Sequence, residues 1–253
     1  QVTNEGVYKY YRWVERSFRE NKPYDQFATE LLTATGSTFS NPAANFYRTS
    51  KDMNDCVETI SQVFLGARLQ CAKCHNHPFE RWTQDNYYGM AAFFNRVQRK
   101  NTKRANEMFI YVSQSGEVTQ PRTQQQMKPW VPGQGDIENP NEFDRRLDFA
   151  SWLTQSDNPF FAKIEVNRIW SQVFGRGIVE PADDFRDTNP PSNAVLLDQL
   201  AKDFVDNGYD RKQILATILK SRTYQTSYQP NDFNEDDTKY FSHYQPRLLS
   251  AEQ

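Results

Sequence analysis

Two cysteines and a histidine lie within five consecutive residues, in the order Cys71, Cys74 and His75. Two cysteines separated by two residues and followed directly by histidine form the attachment pattern of a c-type haem. The thiols bond to the vinyl carbons of the haem, and the histidine coordinates the iron. Because the chain has only three cysteines and three histidines, a chance cluster of this kind would be rare. The motif therefore predicts one covalently attached haem with His75 as its first axial ligand.

Zinc binding is an alternative interpretation, because paired cysteines also begin many structural zinc sites. The candidates to complete four ligands with Cys71 and Cys74 are Cys56, His75 and His77. One continuous helix over 52–70 would hold Cys56 roughly 22 Å from Cys71, although a break at Gly66 could shorten that distance. A third interpretation treats the cysteines as reduced packing residues, since free cysteine is commonly buried.

The second axial position of the iron has His243 and Met90 as its leading candidates. The other methionines are Met53, Met108 and Met127. His77 cannot reach the far face of the same haem, because two residues span at most about 7 Å. We expect His77 to form a hydrogen bond near the haem edge, to ligate another centre, or to form the turn before Pro78. A histidine or methionine ligand would indicate electron transfer, whereas an open position would permit small-ligand chemistry.

Composition limits the partners of the chain. Its 253 residues include 30 basic and 32 acidic side chains, and the formal net charge of −2 favours neither nucleic acid nor anionic lipid. The 18 Phe, 13 Tyr and 5 Trp indicate a folded protein. Three cysteines cannot form a disulfide framework for a chain of this length. No apolar run approaches the length of about 20 residues that a membrane span requires.

Apolar periodicity predicts that the motif lies between two helices. A long helix from Asp52 would lead directly to Cys71, and Thr83 is the predicted N-cap of the next helix. Two earlier helices are predicted at residues 7–19 and 23–36, and the segment at 36–50 is predicted to be a loop.

The rest of the sequence predicts a mainly α fold, with two helical lobes joined by an irregular linker that contains a possible short β-hairpin. The predicted domains are an N-terminal helical domain at 1–97, a linker or small β insert at 98–141 and a C-terminal helical domain at 142–253. The insert has one predicted strand at Met108–Val112 and a second near Val118. The C-terminal helices are predicted at 143–153, 160–174, 195–205 and 214–219, with Asp210 capping the last. The final six residues resemble the start of another helix, and we expect the chain to be a fragment whose signal peptide lies outside it.

Longer motifs carry a resemblance to known families. Residues 64–88, FLGARLQCAKCHNHPFERWTQDNYY, resemble the signature of an uncharacterised domain family abundant in planctomycetes. The second group of motifs is RRLDFASWL at 145–153, VNRIW at 166–170 and FGRGIVEPADDFR at 174–186. That group resembles a second uncharacterised family that usually follows the first.

The resemblance implies a large exported protein that often has a separate planctomycete-type cytochrome c domain upstream, and sometimes carbohydrate-binding modules. It places Cys71, Cys74 and His75 at the matching positions of the first family and implies no particular reaction. We therefore predict a periplasmic c-type haem protein that transfers electrons to or from a redox partner protein or a neighbouring cytochrome domain. The alternatives are a haem or metal enzyme acting on an extracellular substrate, such as one derived from a polysaccharide, and a zinc-stabilised structural or binding module.

Overall fold

The computed structural model describes residues 4–50 and 52–247, and of Asn4 it describes the backbone alone. The helix that we predict to begin in the last six residues lies outside this part of the chain. The described residues are mainly α-helical, as predicted, with a small amount of β-sheet. They form two compact units. The first comprises the described residues up to Val63 together with Arg68–Asn158, and the second comprises Phe64–Ala67 and the described residues from Pro159 onward.

The first unit begins with two helices, α1 (Asn4–Arg19) and α2 (Tyr24–Thr33), which confirm the first two predicted helices. Pro23 immediately precedes α2, where its missing N–H costs no helical hydrogen bond. Trp13 of α1 stacks on Phe27 of α2 with ring centroids 4.8 Å apart. This aromatic contact joins the two helices within the core of the unit.

The segment at 36–50 is not a simple loop, so that prediction is wrong. It contains strand β1 (Gly36–Ser37), a 3-10 helix (Pro42–Asn45) and the short helix α3 (Phe46–Thr49). Tyr47 is fully buried, and its hydroxyl donates to the backbone carbonyl of Leu32. Asn45 donates to the carbonyl of Thr38 at 2.7 Å. The polar composition of the segment therefore reflects internal hydrogen bonds rather than solvent exposure.

The long helix predicted to reach Cys71 ends earlier, so that prediction is also wrong. Helix α4 spans Met53–Leu65, and Gly66 follows it with φ of +58°. That left-handed conformation ends the helix, since glycine adopts it without steric cost. A separate 3-10 helix over Leu69–Lys73 carries Cys71. Thr83 is the N-cap of helix α5 (Gln84–Phe94) and forms a capping box with Asn86, which confirms the predicted N-cap.

A three-stranded antiparallel sheet, in the order β1-β3-β2, completes part of the first unit. Strand β3 (Met108–Val112) confirms the predicted strand. It forms its hairpin with β2 (Val97–Asn101), which precedes it, and not with a strand near Val118. Two short strands, β4 (Trp130–Val131) and β5 (Gly135–Asp136), form a second pair. Helix α6 (Arg146–Leu153) ends the unit and packs Phe149 against Phe93 and Phe94 of α5, with centroids 5.4 and 5.2 Å apart.

The second unit contains α7 (Phe161–Phe174), α8 (Ala194–Asp206) and α9 (Arg211–Leu219), which confirm the three predicted helices. The side chain of Asp210 accepts from the backbone N–H of Gln213, so the predicted cap of α9 is confirmed. The buried Asn167 of α7 bonds the N–H and carbonyl of Val179 at 3.0 and 2.9 Å. In the part of the chain that the structure describes, no helix combines the length and apolar character that crossing a membrane requires.

Candidate functional site

The cysteine and histidine motif occupies a single helical turn at the surface of the first unit. The backbone N–H groups of Cys74 and His75 both donate to the carbonyl of Cys71, at 3.3 and 3.4 Å. Both thiols are free and exposed, and the imidazole is exposed as well. The turn therefore exposes two thiols and one imidazole to the solvent.

His75 has one ring nitrogen engaged by the backbone and the other available. Its Nδ1 lies 2.7 Å from the carbonyl oxygen of Asn76. Because a carbonyl can only accept, Nδ1 carries the proton of this hydrogen bond, and in the neutral imidazole the lone pair is then on Nε2. A histidine that coordinates a metal usually has its second nitrogen held in this way. The donor set of Cys71, Cys74 and His75 therefore fits a c-type haem.

Gln84, the first residue of α5, holds the motif turn in place. Its side-chain amide donates to the carbonyl of Lys73 at 3.0 Å and to that of Cys74 at 3.3 Å. Its backbone N–H donates to the side chain of Asn76 at 3.0 Å. Gln120 fixes the orientation of the Gln84 amide by donating to its oxygen at 3.0 Å. Sequence patterns did not identify Gln84, because a buried glutamine at a helix start has no periodic signal.

Tyr88 adds a second contact from α5 to the same turn. Its hydroxyl donates to the carbonyl of Lys73 at 3.2 Å. Burial and, to a smaller extent, the neighbouring Cys74 raise the pKa of Tyr88 above its ordinary value. The phenol therefore keeps its proton at neutral pH and remains a hydrogen-bond donor.

Comparison with known families divides the chain into two regions, and these are the regions that contain the two groups of longer motifs. Residues 1–99 match the family PSCyt2, described as a protein of unknown function (DUF1549). Residues 145–253 match the family PSD1, described as a protein of unknown function (DUF1553). The match to PSCyt2 is thus followed along the chain by the match to PSD1. These are the paired planctomycete-type families that the sequence resembles. Neither the curated proteins nor the solved structures contain a match to the chain.

In the PSCyt2 region, a tight loop follows the motif. The backbone N–H of His77 donates to the carbonyl of Trp82 at 2.8 Å and closes the loop. The Nδ1 of His77 accepts from the N–H of Phe79 at 3.2 Å, so its proton lies on Nε2. The side chain of Phe79 is 78% exposed, and the guanidinium of Arg81 lies 5.1 Å from the ring of Trp82. Phe79 and Arg81, which sequence reasoning missed, are an apolar and a cationic side chain beside the motif.

The two leading candidates for the second axial ligand lie in different surroundings. Met90 is fully buried in the first unit, and its sulfur accepts from the hydroxyl of Ser61 at 3.9 Å. His243 belongs to the PSD1 region and the second unit, where its ring is half-buried. The identity of the second axial ligand stays a prediction.

Cys56, the third cysteine, is buried on α4 at 2% exposure. Burial, offset in part by Arg99 and Arg146, raises the pKa of its thiol to about 12. It borders a pocket of about 240 Å³ that also includes Asp52 and Met53. Among residues 4–50 and 52–247, no three histidine, cysteine, aspartate or glutamate side chains come together in a group that could hold a metal ion. The described residues therefore do not bring Cys56, one of the candidate ligands of the alternative zinc interpretation, into a four-ligand zinc site.

Proposed function

We propose that the protein is an exported, periplasmic c-type haem protein that transfers electrons. In this proposal Cys71 and Cys74 bond the haem covalently, and His75 is the first axial ligand. The hydrogen bond from His75 Nδ1 to the carbonyl of Asn76, at 2.7 Å, carries the proposal because it leaves Nε2 free for a metal. A zinc-stabilised module and a haem or metal enzyme are the alternatives that experiment must separate from it.

Bound haem would supply an iron that exchanges single electrons between its ferrous and ferric states. The residues of the chain determine how that iron is held. The carbonyl partner of Nδ1 fixes the orientation of the His75 ring and increases the basicity of Nε2. The amide of Gln84 and the hydroxyl of Tyr88 hold the backbone of the turn that carries the thiols.

Two exposed side chains next to the motif would complete the contact with the haem. Phe79 offers an exposed apolar surface, which burial against a haem ring would stabilise. Arg81, held against Trp82, offers a guanidinium that suits the carboxylates of the haem propionates. Both residues lie in the loop closed by the His77 and Trp82 backbone bond, so their positions are coupled to the motif.

We propose that electrons pass between this site and either a redox partner protein or a neighbouring cytochrome domain. Exposure of Cys71, Cys74 and His75 supports this, because a haem attached there would have an edge open to a docked partner. The near-zero net charge favours recognition by local contacts and argues against nucleic acid as the partner.

Intact mass and an absorption spectrum test the proposal. The protein is produced in an exporting host with the cytochrome c maturation system. The intact mass of the denatured protein is then measured by mass spectrometry. We expect the mass of one haem to remain bound after denaturation, together with the α, β and Soret bands of a reduced c-type haem. The Cys71→Ala, Cys74→Ala double variant should lose both signals. Cys56→Ala is the matched control and should keep both, because Cys56 is buried away from the surface motif.

Two other results would point to the alternatives. No added mass, with one zinc ion per chain by elemental analysis, would reject the haem proposal and favour a zinc-stabilised module. A covalent haem that binds carbon monoxide or cyanide readily would indicate an open axial position, and small-ligand or enzymatic chemistry would then replace simple electron transfer.

A further inference from the structure

A small pocket lies in the second unit, beyond the C-terminal end of α7. Its lining residues are Phe174, Arg176, Thr238, Phe241, His243 and Gln245. The pocket has room for one water-sized sphere. None of these six side chains carries a carboxylate, whereas the Arg176 guanidinium is permanently positive. The lining is therefore cationic and partly aromatic.

Two nitrogen atoms of the lining residues have no hydrogen-bond partner. Arg176 Nε and His243 Nδ1 are both buried from solvent, and neither bonds another atom of the described residues. Buried polar atoms in folded proteins almost always have a partner, which is protein, ordered water or an ion. Because arginine Nε can only donate a hydrogen bond, the missing partner of Arg176 must be an acceptor.

The loop that carries His243 is fixed by hydrogen bonds that involve neither Arg176 Nε nor His243 Nδ1. The carboxylate of Asp237 accepts from three backbone N–H groups at 2.7–3.0 Å. These belong to Lys239, Tyr240 and Ser242. Phe241 lies in the same loop with φ of +59°, a conformation that bulky residues rarely adopt. Its ring packs 5.3 Å from both Trp170 and Phe174. Strained backbone of this kind persists where its surroundings fix it, and it clusters at binding sites.

We propose that this pocket binds a small monovalent anion such as chloride, held by the Nε–H of Arg176 and the Nδ1–H of His243. The anion supplies both the acceptor that Nε lacks and the negative charge that a partly buried guanidinium requires. Chloride is larger than water but is still a single small ion, which is the class of occupant that so small a pocket favours. A carboxylate oxygen also accepts hydrogen bonds and carries negative charge. The anion could therefore be a halide or the carboxylate of a small organic acid. The pocket lies in the second unit, whereas the proposed haem motif lies in the first.

Chloride-35 NMR on the full chain tests this proposal, because chloride that exchanges with a protein site shows a broadened line. We expect the protein to give an excess chloride linewidth that added bromide removes by competition. Arg176→Gln should abolish the excess linewidth. Arg222→Gln is the matched control, since it makes the same charge change at an exposed arginine of the same unit, and it should keep the excess linewidth. If formate reduces the excess chloride linewidth as effectively as bromide does, the site is assigned to carboxylates. If formate is less effective than bromide, the site is assigned to halides.

Equal chloride broadening in the wild-type protein and in Arg176→Gln would overturn the proposal. The absence of excess broadening in the wild-type protein would also overturn it and would leave water as the occupant of the pocket. These wild-type measurements remain decisive if Arg176→Gln does not fold. In that case His243→Ala removes the second nitrogen, and we expect it to reduce the excess linewidth.

Discussion

The side-chain amide of Gln84 donates to the backbone carbonyl of Cys74 at 3.3 Å. The same amide group donates to Lys73, so one side chain satisfies two carbonyls of the turn that bears the thiols. Gln84 is itself buried at the start of α5, where the Thr83 capping box fixes the backbone. The helix that follows the motif therefore determines where the motif turn lies, although it contributes none of the proposed haem ligands.

Replacing Gln84 by alanine should loosen the motif turn. The change removes three neutral hydrogen bonds, two to backbone carbonyls of the turn and one from Gln120. Each is worth roughly 1 kcal/mol. We expect a smaller fraction of chains to carry haem after maturation, with a broader distribution of haem environments. Intact mass of denatured protein measures the fraction. Gln70→Ala, at an exposed glutamine beside Cys71, is the control and should attach haem as the wild type does. Equal haem content in both variants would contradict a positioning role for Gln84.

Replacing Met90 by leucine should leave the haem spectrum unchanged. Met90 is fully buried with its sulfur against Ser61, and coordination would require it to leave that contact. A leucine of similar volume should cost less than about 1.5 kcal/mol in the free energy of unfolding. The absorption spectra of the oxidised and reduced variant measure the effect. A shift to a high-spin spectrum in Met90→Leu would instead identify Met90 as the second axial ligand.

Local sequence signals predicted the helices and their caps well, because those signals act over a few residues. Thr83 and Asp210 were predicted as caps from the polar residue before an apolar repeat, and both accept a backbone N–H in the structure. The structure places the three residues of the cysteine and histidine motif on one exposed turn, and haem attachment there stays a prediction.

The errors arose where distant residues decide the structure. Helix α4 ends at Gly66, where a β-carbon would lie 2.8 Å from the ring of Phe185. The backbone N–H of Phe185 also bonds the carbonyl of Gly66 at 2.9 Å. A contact between residues so far apart in sequence gives no signal in a local window. In the same way, Ser37 was assigned to a loop because its pairing with Phe109 is invisible in the sequence nearby.

Replacing Arg146 by methionine should strongly destabilise the first unit. Arg146 is fully buried and forms a two-bond ion pair with Asp144, at 2.8 and 2.7 Å. It also donates to the carbonyls of Thr33 and Ala34 at the end of α2. Removing one partner of a buried ion pair typically costs about 3–5 kcal/mol. Urea unfolding of this variant and of the control Arg122→Met measures the loss.

Arg122 is exposed, so its replacement should change the free energy of unfolding by no more than about 0.5 kcal/mol. If Arg146→Met and Arg122→Met unfold at the same urea concentration, the network around Arg146 does not stabilise the unit. A larger loss in Arg146→Met would show that the contacts of Arg146 stabilise the unit.

Acid should loosen the loop that carries His243, through Asp237. Burial raises the pKa of Asp237, but hydrogen bonds from Ser242, Tyr240 and Lys239 outweigh it and hold the pKa well below the ordinary value. Since the unfolded value is about 3.9, the carboxylate stabilises the loop above that pH, and the contribution disappears as the pH falls through the folded pKa. Carbon-13 NMR of the carboxyl group should therefore give a titration midpoint below about 3.9.

Amide hydrogen exchange measures what this carboxylate does for the loop at neutral pH. Asp237→Asn cannot accept all three backbone hydrogen bonds, because its amide nitrogen is a donor. We expect faster exchange at residues 239–242 in this variant at pH 7. Asp236→Asn, at the exposed neighbouring aspartate, should exchange like the wild type. If Asp237→Asn also exchanges like the wild type, the carboxylate does not fix the loop, and the side of the anion pocket that carries His243 must be held by the aromatic contacts of Phe241 instead.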